Sequence, residues 1–171
     1  MQNQQTVRQI FERVDRNRNG YVDDTELQMA LSNGIGTTFN IRTVQLMISM
    51  FDRDGNGTID VNEFTHLFRY VQDWQQCFRR YDQDKSGRID SRELQWALSS
   101  FGYRLSPAFV QMMIGRFDRN KCGQIAFDDF IYACVCLQIL TNAFKRFDIN
   151  CNGWAQFNFE QFLSAAMSII I

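Results

Sequence analysis

The segment Asp52-Arg53-Asp54-Gly55-Asn56-Gly57-Thr58-Ile59-Asp60-Val61-Asn62-Glu63 decides the fold of this chain. It places oxygen-bearing side chains at positions 1, 3, 5, 9 and 12 and a glycine at position 6. Calcium takes hard oxygen ligands from such side chains, from the backbone carbonyl at position 7 and from both oxygens of the final glutamate. The glycine lets the chain turn sharply around the ion. The segment therefore predicts a calcium-binding loop.

The same frame occurs five times, at residues 15–26, 52–63, 82–93, 118–129 and 148–159, which predicts five EF-hands, each a helix, a loop and a second helix. The first three loops are complete, and we expect calcium in each of them. Their position-7 residues act through backbone carbonyls, and position 9 is aspartate in all three. The predicted ligands are Asp15, Asn17, Asn19, Tyr21 and Glu26 in loop 1; Asp52, Asp54, Asn56, Thr58 and Glu63 in loop 2; and Asp82, Asp84, Ser86, Arg88 and Glu93 in loop 3.

The last two loops depart from the pattern. Loop 4 has Cys122 at position 5, Ala126 at position 9 and the shorter Asp129 at position 12, and a thiol is a poor ligand for a hard cation. We interpret loop 4 as a structural partner of loop 3. Loop 5 is half a site, because position 12 is Phe159. We favour a structural loop, and the alternative is weak calcium or magnesium binding through Asp148, Asn150, Asn152 and Trp154.

The spacing of the loops predicts an all-α fold of eight helices in a single domain over residues 1–171. Residues 64–81 and 130–147 contain neither glycine nor proline, so each stretch is predicted as one helix shared by two hands. The other two gaps contain breakers, with Gly34 and Gly36 in the first and Gly102 and Ser106-Pro107 in the second. Short β-contacts are expected at position 8, between loops 1 and 2 and between loops 3 and 4.

The fifth hand is left without a partner in the chain, although its surroundings are rich in apolar side chains: Trp154, Phe157, Phe159, Phe162, Leu163 and Met167. We expect a two-fold dimer in which loop 5 meets loop 5 of a second copy. The alternatives are packing against hands 3 and 4, or pairing with a different subunit of the same architecture. The apolar end, Ile169-Ile170-Ile171, is expected to be buried in a core or an interface.

Composition and charge argue against several classes of function, including nucleic-acid binding and catalysis. The net charge of −1 gives no basic surface for nucleic acid, whereas bound calcium would make the protein net positive and favour association with acidic membranes. The five cysteines match neither a zinc site nor a disulfide framework, so free thiols in a reducing cytosol are expected. No apolar run is expected to span a membrane. No catalytic constellation is left once the loop acids are assigned to metal, and His66 is interpreted as a packed or surface residue.

Five hands with shared helices resemble the penta-EF-hand family, and in particular the branch of programmed cell death protein 6. The segments that carry the resemblance are Asp24–Gln28, Ala30–Gly34, Ile48–Arg53, Phe101–Leu105 and Gly123–Phe130. The resemblance implies a cytoplasmic calcium sensor and adaptor that is recruited to endosomal or endoplasmic-reticulum membranes. It also implies a homodimer through hand 5, or a heterodimer with another member of the family.

The resemblance further implies an aromatic pocket formed by Trp74, Phe101 and Phe159, which binds proline-rich segments of partners in membrane trafficking, membrane repair or cell-death signalling. Aromatic walls suit proline rings, and a polyproline II segment loses little entropy on binding. The alternatives are a regulatory subunit of a calpain-like protease and a calcium buffer. Without the resemblance, the three aromatic residues read as ordinary core side chains.

Overall fold

The computed structural model describes residues 2–167, and the side chains of residues 6–167. The predicted burial of Ile169-Ile170-Ile171 lies outside the described residues. The described part contains eight helices and two short strands, which confirms the all-α prediction. They are α1 (Gln2–Val14), α2 (Asp24–Ala30), α3 (Ile41–Phe51), α4 (Val61–Tyr81), β1 (Arg88–Ile89), α5 (Ser91–Ser100), α6 (Pro107–Phe117), β2 (Ile125–Ala126), α7 (Phe127–Lys145) and α8 (Phe159–Met167).

The two shared helices are α4 and α7, as the absence of glycine and proline predicted. Helix α4 is continuous over 21 residues from loop 2 to loop 3. Helix α7 is continuous over 19 residues and leads from loop 4 toward loop 5. Helix α6 begins at Pro107, with the Ser106 hydroxyl accepting the Phe109 N–H at 3.2 Å as its N-cap. The predicted break before α6 is therefore confirmed in position and in cause.

The loops pair as their position-8 residues predict. Val22 and Ile59 form an isolated antiparallel bridge between loops 1 and 2, with N–H···O distances of 2.9 and 3.0 Å. Strands β1 and β2 join loops 3 and 4, with Ile89 opposite Ile125. All four side chains are at most 1% exposed, so each pairing also closes a piece of apolar core. Around Ala155 the described chain shows no strand or bridge, which agrees with an unpaired fifth loop.

The chain forms two compact units, Met1–Ile131 and Tyr132–Ile171. The boundary lies inside α7, and the single domain predicted for residues 1–171 stays a prediction. In the first unit, α1 packs on α4 through an edge-to-face contact of Phe11 and Phe64, whose ring centroids are 5.4 Å apart. A second aromatic core in that unit joins α4 to α7, where Phe78 contacts both Phe127 and Phe130.

One helix bears on the expectation that no apolar run spans a membrane, which stays a prediction. Helix α7 is long and apolar enough to cross a membrane by length and composition, although no such run was expected from the sequence. The reason is that its few polar side chains, such as Thr141 and Asn142, carry no charge between Asp129 and Lys145. Since 56% of its apolar stretch is buried inside the protein, the helix also fits the description of a core helix.

Candidate calcium sites and neighbouring aromatic residues

All five loops adopt the same turn. Position 4 has a positive φ in every loop: Arg18 59°, Gly55 72°, Lys85 56°, Lys121 52° and Cys151 51°. The glycine at position 6 is also left-handed in every loop, with φ between 74° and 86°. A side chain at a positive φ is disfavoured, so four non-glycine residues held there show that the loop geometry is enforced by its surroundings. Loops 4 and 5 therefore keep the turn of a calcium loop although their ligand sets are incomplete.

Loops 2 and 3 bring the predicted carboxylates together. One oxygen each of Asp52, Asp54 and Glu63 lie within 4.8 Å of one another, and the corresponding atoms of Asp82, Asp84 and Glu93 do the same. The Asp52 carboxylate also accepts the Gly57 N–H at 2.7 Å, and this bond holds the pKa of Asp52 below its usual range. The Asp52 carboxylate is therefore held as an anion, which is the state that a divalent cation requires.

Loop 1 has the same arrangement with fewer charges. Asp15 accepts the Gly20 N–H at 2.9 Å, and Glu26 accepts the Arg16 N–H at 3.0 Å. Both carboxylates are nearly buried, with exposures of 6% and 5%. The amide oxygen of Asn17 replaces the carboxylate found at position 3 of loops 2 and 3. The donor set remains all oxygen, so the site fits a hard cation with less ligand charge.

The last glutamate of each complete loop has two structural roles. Asp23, Asp60 and Asp90 at position 9 are N-caps, and the glutamate three residues later completes a capping box in each loop. The same glutamate reaches back to the start of its loop: Glu63 accepts the Arg53 N–H at 2.8 Å, and Glu93 accepts the Gln83 N–H at 2.8 Å. Each glutamate thus links the beginning of its loop to the following helix.

These three loops fit calcium. Their side-chain oxygens, with the carbonyls of Tyr21, Thr58 and Arg88, form the hard-oxygen sets that calcium binds, whereas magnesium demands a smaller octahedral shell. A bound ion would supply two positive charges among carboxylates that otherwise repel one another. The residues of the chain contribute the preformed turn and the link from each loop into its exiting helix.

Loop 4 does not fit calcium. Its position-12 carboxylate, Asp129, is bonded to the guanidinium of Arg119, with Nε 2.9 Å from a carboxylate oxygen. The Cys122 thiol at position 5 faces Asp118 Oδ1 at 3.7 Å. The prediction that loop 4 is a structural partner agrees with its pairing to loop 3, and the side-chain cation was not predicted.

Loop 5 differs because its exiting helix begins two residues late. Asp148 still accepts the Asn152 and Gly153 N–H groups at 3.0 and 2.9 Å, but the capping box is formed by Asn158 and Gln161, at positions 11 and 14. In loops 1–3 the capping box lies at positions 9 and 12. The side chain in the glutamate's structural place is therefore a neutral amide. Asn150 and Trp154, the other suggested weak ligands, are exposed, and the choice between a structural loop and weak binding stays a prediction.

Two of the three predicted pocket residues lie together in the first unit. Trp74 on α4 contacts Phe101, the C-cap of α5, edge to face with centroids 6.5 Å apart, and it contacts Phe130 in the same way at 5.7 Å. Phe159, the third, begins α8 in the second unit and is 75% exposed. Trp96 was missed by sequence reasoning: it is 40% exposed, as Phe101 is, and both rings contact Tyr81. Its position three residues after Glu93 gave no signal of this neighbourhood.

Comparisons with known proteins agree with the repeated EF-hand loops and identify relatives of the whole chain. A family model described as an EF-hand domain pair matches residues 4–69 and 71–135. A sorcin from Schistosoma japonicum is 60% identical over 166 residues, which is 97% of this chain and 96% of the sorcin. A peflin from Mus musculus is 41% identical over 159 residues, which is 92% of this chain but 58% of the peflin.

A solved structure supports the same relation in three dimensions. It is described as a homolog of programmed cell death 6 protein from Leishmania major Friedlin, and it superposes with a TM-score of 0.84 at 31% sequence identity. The match covers 95% of this chain and 93% of that structure. It therefore extends over the calcium loops and the helices that join them.

Proposed function

The chain belongs to the penta-EF-hand family, and from that premise we propose that it is a calcium sensor and adaptor that binds proline-rich segments of partner proteins when calcium is bound. The observation that carries the proposal is the position of Trp74 and Phe101 relative to the complete loops. Trp74 lies on α4, the helix that connects loops 2 and 3, and Phe101 caps the helix that leaves loop 3. Calcium binding at these loops acts directly on both elements.

The state of the aromatic residues supports a gated surface. Trp74 is half-buried between Phe101 and Phe130, whereas Phe101 and Trp96 are each 40% exposed. A shift of α5 relative to α4 would separate the Trp74 and Phe101 rings and widen the apolar gap between them. Proline rings pack well against such aromatic walls. A plain calcium buffer has no need of exposed aromatic rings beside a calcium loop.

The exposed face of hand 5 supports a dimer. The second unit exposes large apolar side chains with exposures from 39% to 89%: Ile149, Trp154, Phe159, Phe162, Leu163 and Met167. Such a patch marks an interaction site. We infer a homodimer in which unpaired loop 5 meets its copy. The regulatory-subunit alternative places a calpain-like heavy chain on the same face, and analytical ultracentrifugation of the purified chain decides, because only the homodimer forms without a second protein.

The expected place of action is the cytoplasm, with recruitment to endosomal or endoplasmic-reticulum membranes when calcium rises, in trafficking, membrane repair or cell-death signalling. The relatives support this proposal only through shared family membership. Calcium-dependent sedimentation with vesicles containing an acidic phospholipid tests the membrane part. Vesicle binding that is equal in calcium and in chelator would contradict it.

The adaptor proposal is tested by titrating a synthetic polyproline peptide into the protein, in calcium and in chelator. Binding is expected only in calcium, and Phe101→Ala is expected to weaken it at least tenfold, about 1.4 kcal/mol. The matched control is Phe109→Ala, because Phe109 is an equally exposed ring on α6, at 38%. Peptide binding without calcium, or equal losses for both variants, would reject the proposed surface.

A further inference from the structure

Hand 4 contains a cation of its own. Arg119 occupies position 2 of loop 4, and its guanidinium pairs with two carboxylates: Nε with Asp129 at 2.9 Å, and Nη2 with Asp128. Asp129 is the residue that would close a calcium site at position 12. The positive charge that neutralises it therefore comes from the same loop.

The same two carboxylates bind the start of α3, the entering helix of hand 2. Asn40, the N-cap of α3, donates its backbone N–H to Asp128 Oδ2 at 2.7 Å and its side-chain Nδ2 to Asp129 Oδ1 at 2.7 Å. Thr43 adds a hydrogen bond from its hydroxyl to the Asp128 carbonyl at 3.1 Å. These bonds join hand 2 to hand 4 across 85 to 89 residues of sequence.

Burial makes this arrangement costly without a cation. Asp128 is 0% exposed and Asp129 3%, and Asp128 Oδ1 is a buried oxygen without a hydrogen-bond partner. Burial raises the pKa of Asp129, and the bonds from Asn40 and Arg119 oppose that rise by favouring the anion. Two buried carboxylates require nearby positive charge, and the N-termini of α3 and α7 provide only part of it.

In the complete loops the carboxylate at position 12 has different hydrogen-bond partners. Glu26, Glu63 and Glu93 accept backbone N–H groups at position 2 or 3 of their loops, and those neutral bonds leave the charge of the carboxylate for an ion. In loop 4 the guanidinium of Arg119, at position 2, neutralises the charge of the closing carboxylate instead. Calcium at loop 4 would have to displace Arg119 and would also disturb the bonds to Asn40.

We propose that Arg119 is the resident cation of hand 4 in place of calcium, and that it keeps hand 4 fastened to the start of α3 whether or not the other loops hold calcium. Loop 4 and the start of α7 then form a fixed anchor within the first unit. The inference concerns a loop that the adaptor proposal does not use, so either can fail without the other.

The first test restores ligands at positions 5 and 12 of loop 4, with and without Arg119. The ligand variant carries Cys122→Asp and Asp129→Glu, and calcium stoichiometry is measured by isothermal titration. We expect the wild-type number of calcium ions in the ligand variant, and one more when Arg119→Ala is added. An extra calcium while Arg119 is present would overturn the proposal, and so would the absence of one in the folded triple variant.

The second test follows the link to α3 and does not depend on restored ligands. Amide hydrogen exchange of Asn40 is measured by NMR, with the Ile59 amide as an internal reference for global unfolding because it bonds to Val22 at 3.0 Å. We expect equal Asn40 protection in calcium and in chelator. Arg119→Ala is expected to reduce it at least tenfold more than it reduces Ile59 protection.

Arg53→Ala is the matched control, because Arg53 holds position 2 of loop 2 and its side chain takes part in no ion pair among the described residues. Arg119→Ala is expected to lower the melting temperature in chelator by about 5–10 °C, since it leaves buried carboxylates without their cation, and the control by about 1 °C or less. Asn40 protection that changes with calcium in the wild-type protein, or that survives Arg119→Ala, would overturn the proposal.

Discussion

Loop 4 packs against loop 3 through β1 and β2, and Ile125→Ala measures how much that packing contributes to stability. Ile125 is 1% exposed and lies opposite Ile89, which is 0% exposed, in the antiparallel pair of β1 and β2. Replacing a fully buried isoleucine by alanine costs about 2–5 kcal/mol, because apolar contacts are lost and a cavity remains. The backbone hydrogen bonds of the pair stay, so we expect about 3 kcal/mol for Ile125→Ala and about 1 kcal/mol for Ile125→Val.

The assay is urea unfolding in chelator, followed by far-ultraviolet circular dichroism. For a chain of this size, about 3 kcal/mol corresponds to a melting temperature lower by roughly 6–12 °C. The control is Met112→Ala on α6, which changes a residue that is 58% exposed and is expected to alter the free energy of unfolding by about 0.5 kcal/mol or less. Calcium stoichiometry should not change, because Ile125 offers no ligand. A loss below about 1 kcal/mol for Ile125→Ala, or a missing calcium ion, would refute the packing role.

Three further outcomes are expected. We expect isothermal titration to show three bound calcium ions. Glu63→Gln and Glu93→Gln are each expected to lower the calcium affinity of their own loop at least tenfold, because each removes a charged oxygen. A fourth tight site would contradict the ligand assignment. Phe159→Glu adds no calcium to loop 5, because the capping box lies two residues later, and an additional ion in mass spectrometry would show otherwise. Because burial raises the pKa of the Cys77 thiol, a disulfide reagent at pH 8 labels it more slowly than the exposed Cys122, and equal rates would argue against its burial.

The sequence predicts most of the fold because each calcium loop is specified by residues that are close together in the chain. A dozen residues specify the turn, the start of the exiting helix and the paired position-8 residue, so five copies specify most of the helix boundaries. The absence of glycine and proline from residues 64–81 identified α4 as a shared helix. Ile59 and Ile89 indicated the pairings in the same way, since their partners hold the same place in the neighbouring loop.

Long-range polar contacts could not be predicted in this way. Nothing in the local sequence joins Asn40 to Asp128. Arg119 at position 2 of loop 4 has the same residue type as Arg53 at position 2 of loop 2, which forms no such ion pair among the described residues. The late start of α8 did have a signal: Asn158 and Gln161 have the spacing of a capping box. The twelve-residue pattern that starts at Asp148 places Phe159 at position 12, so it does not predict a helix start at Asn158.

The difference between the calcium-binding hands and hand 4 determines which aromatic residue the proposed sensor moves. Besides Tyr70 on its own helix, Trp74 contacts two rings on other helices: Phe130 follows directly after the Asp128–Asp129 anchor, whereas Phe101 caps the helix that leaves loop 3. If Arg119 holds hand 4 in place, calcium at loop 3 has little effect on the Phe130 side of Trp74. The free energy of binding is then available to move Phe101, because a ligand shifts only those elements whose contacts differ between the two states. A loop that cannot bind calcium would thus make the response of the calcium-binding loops specific.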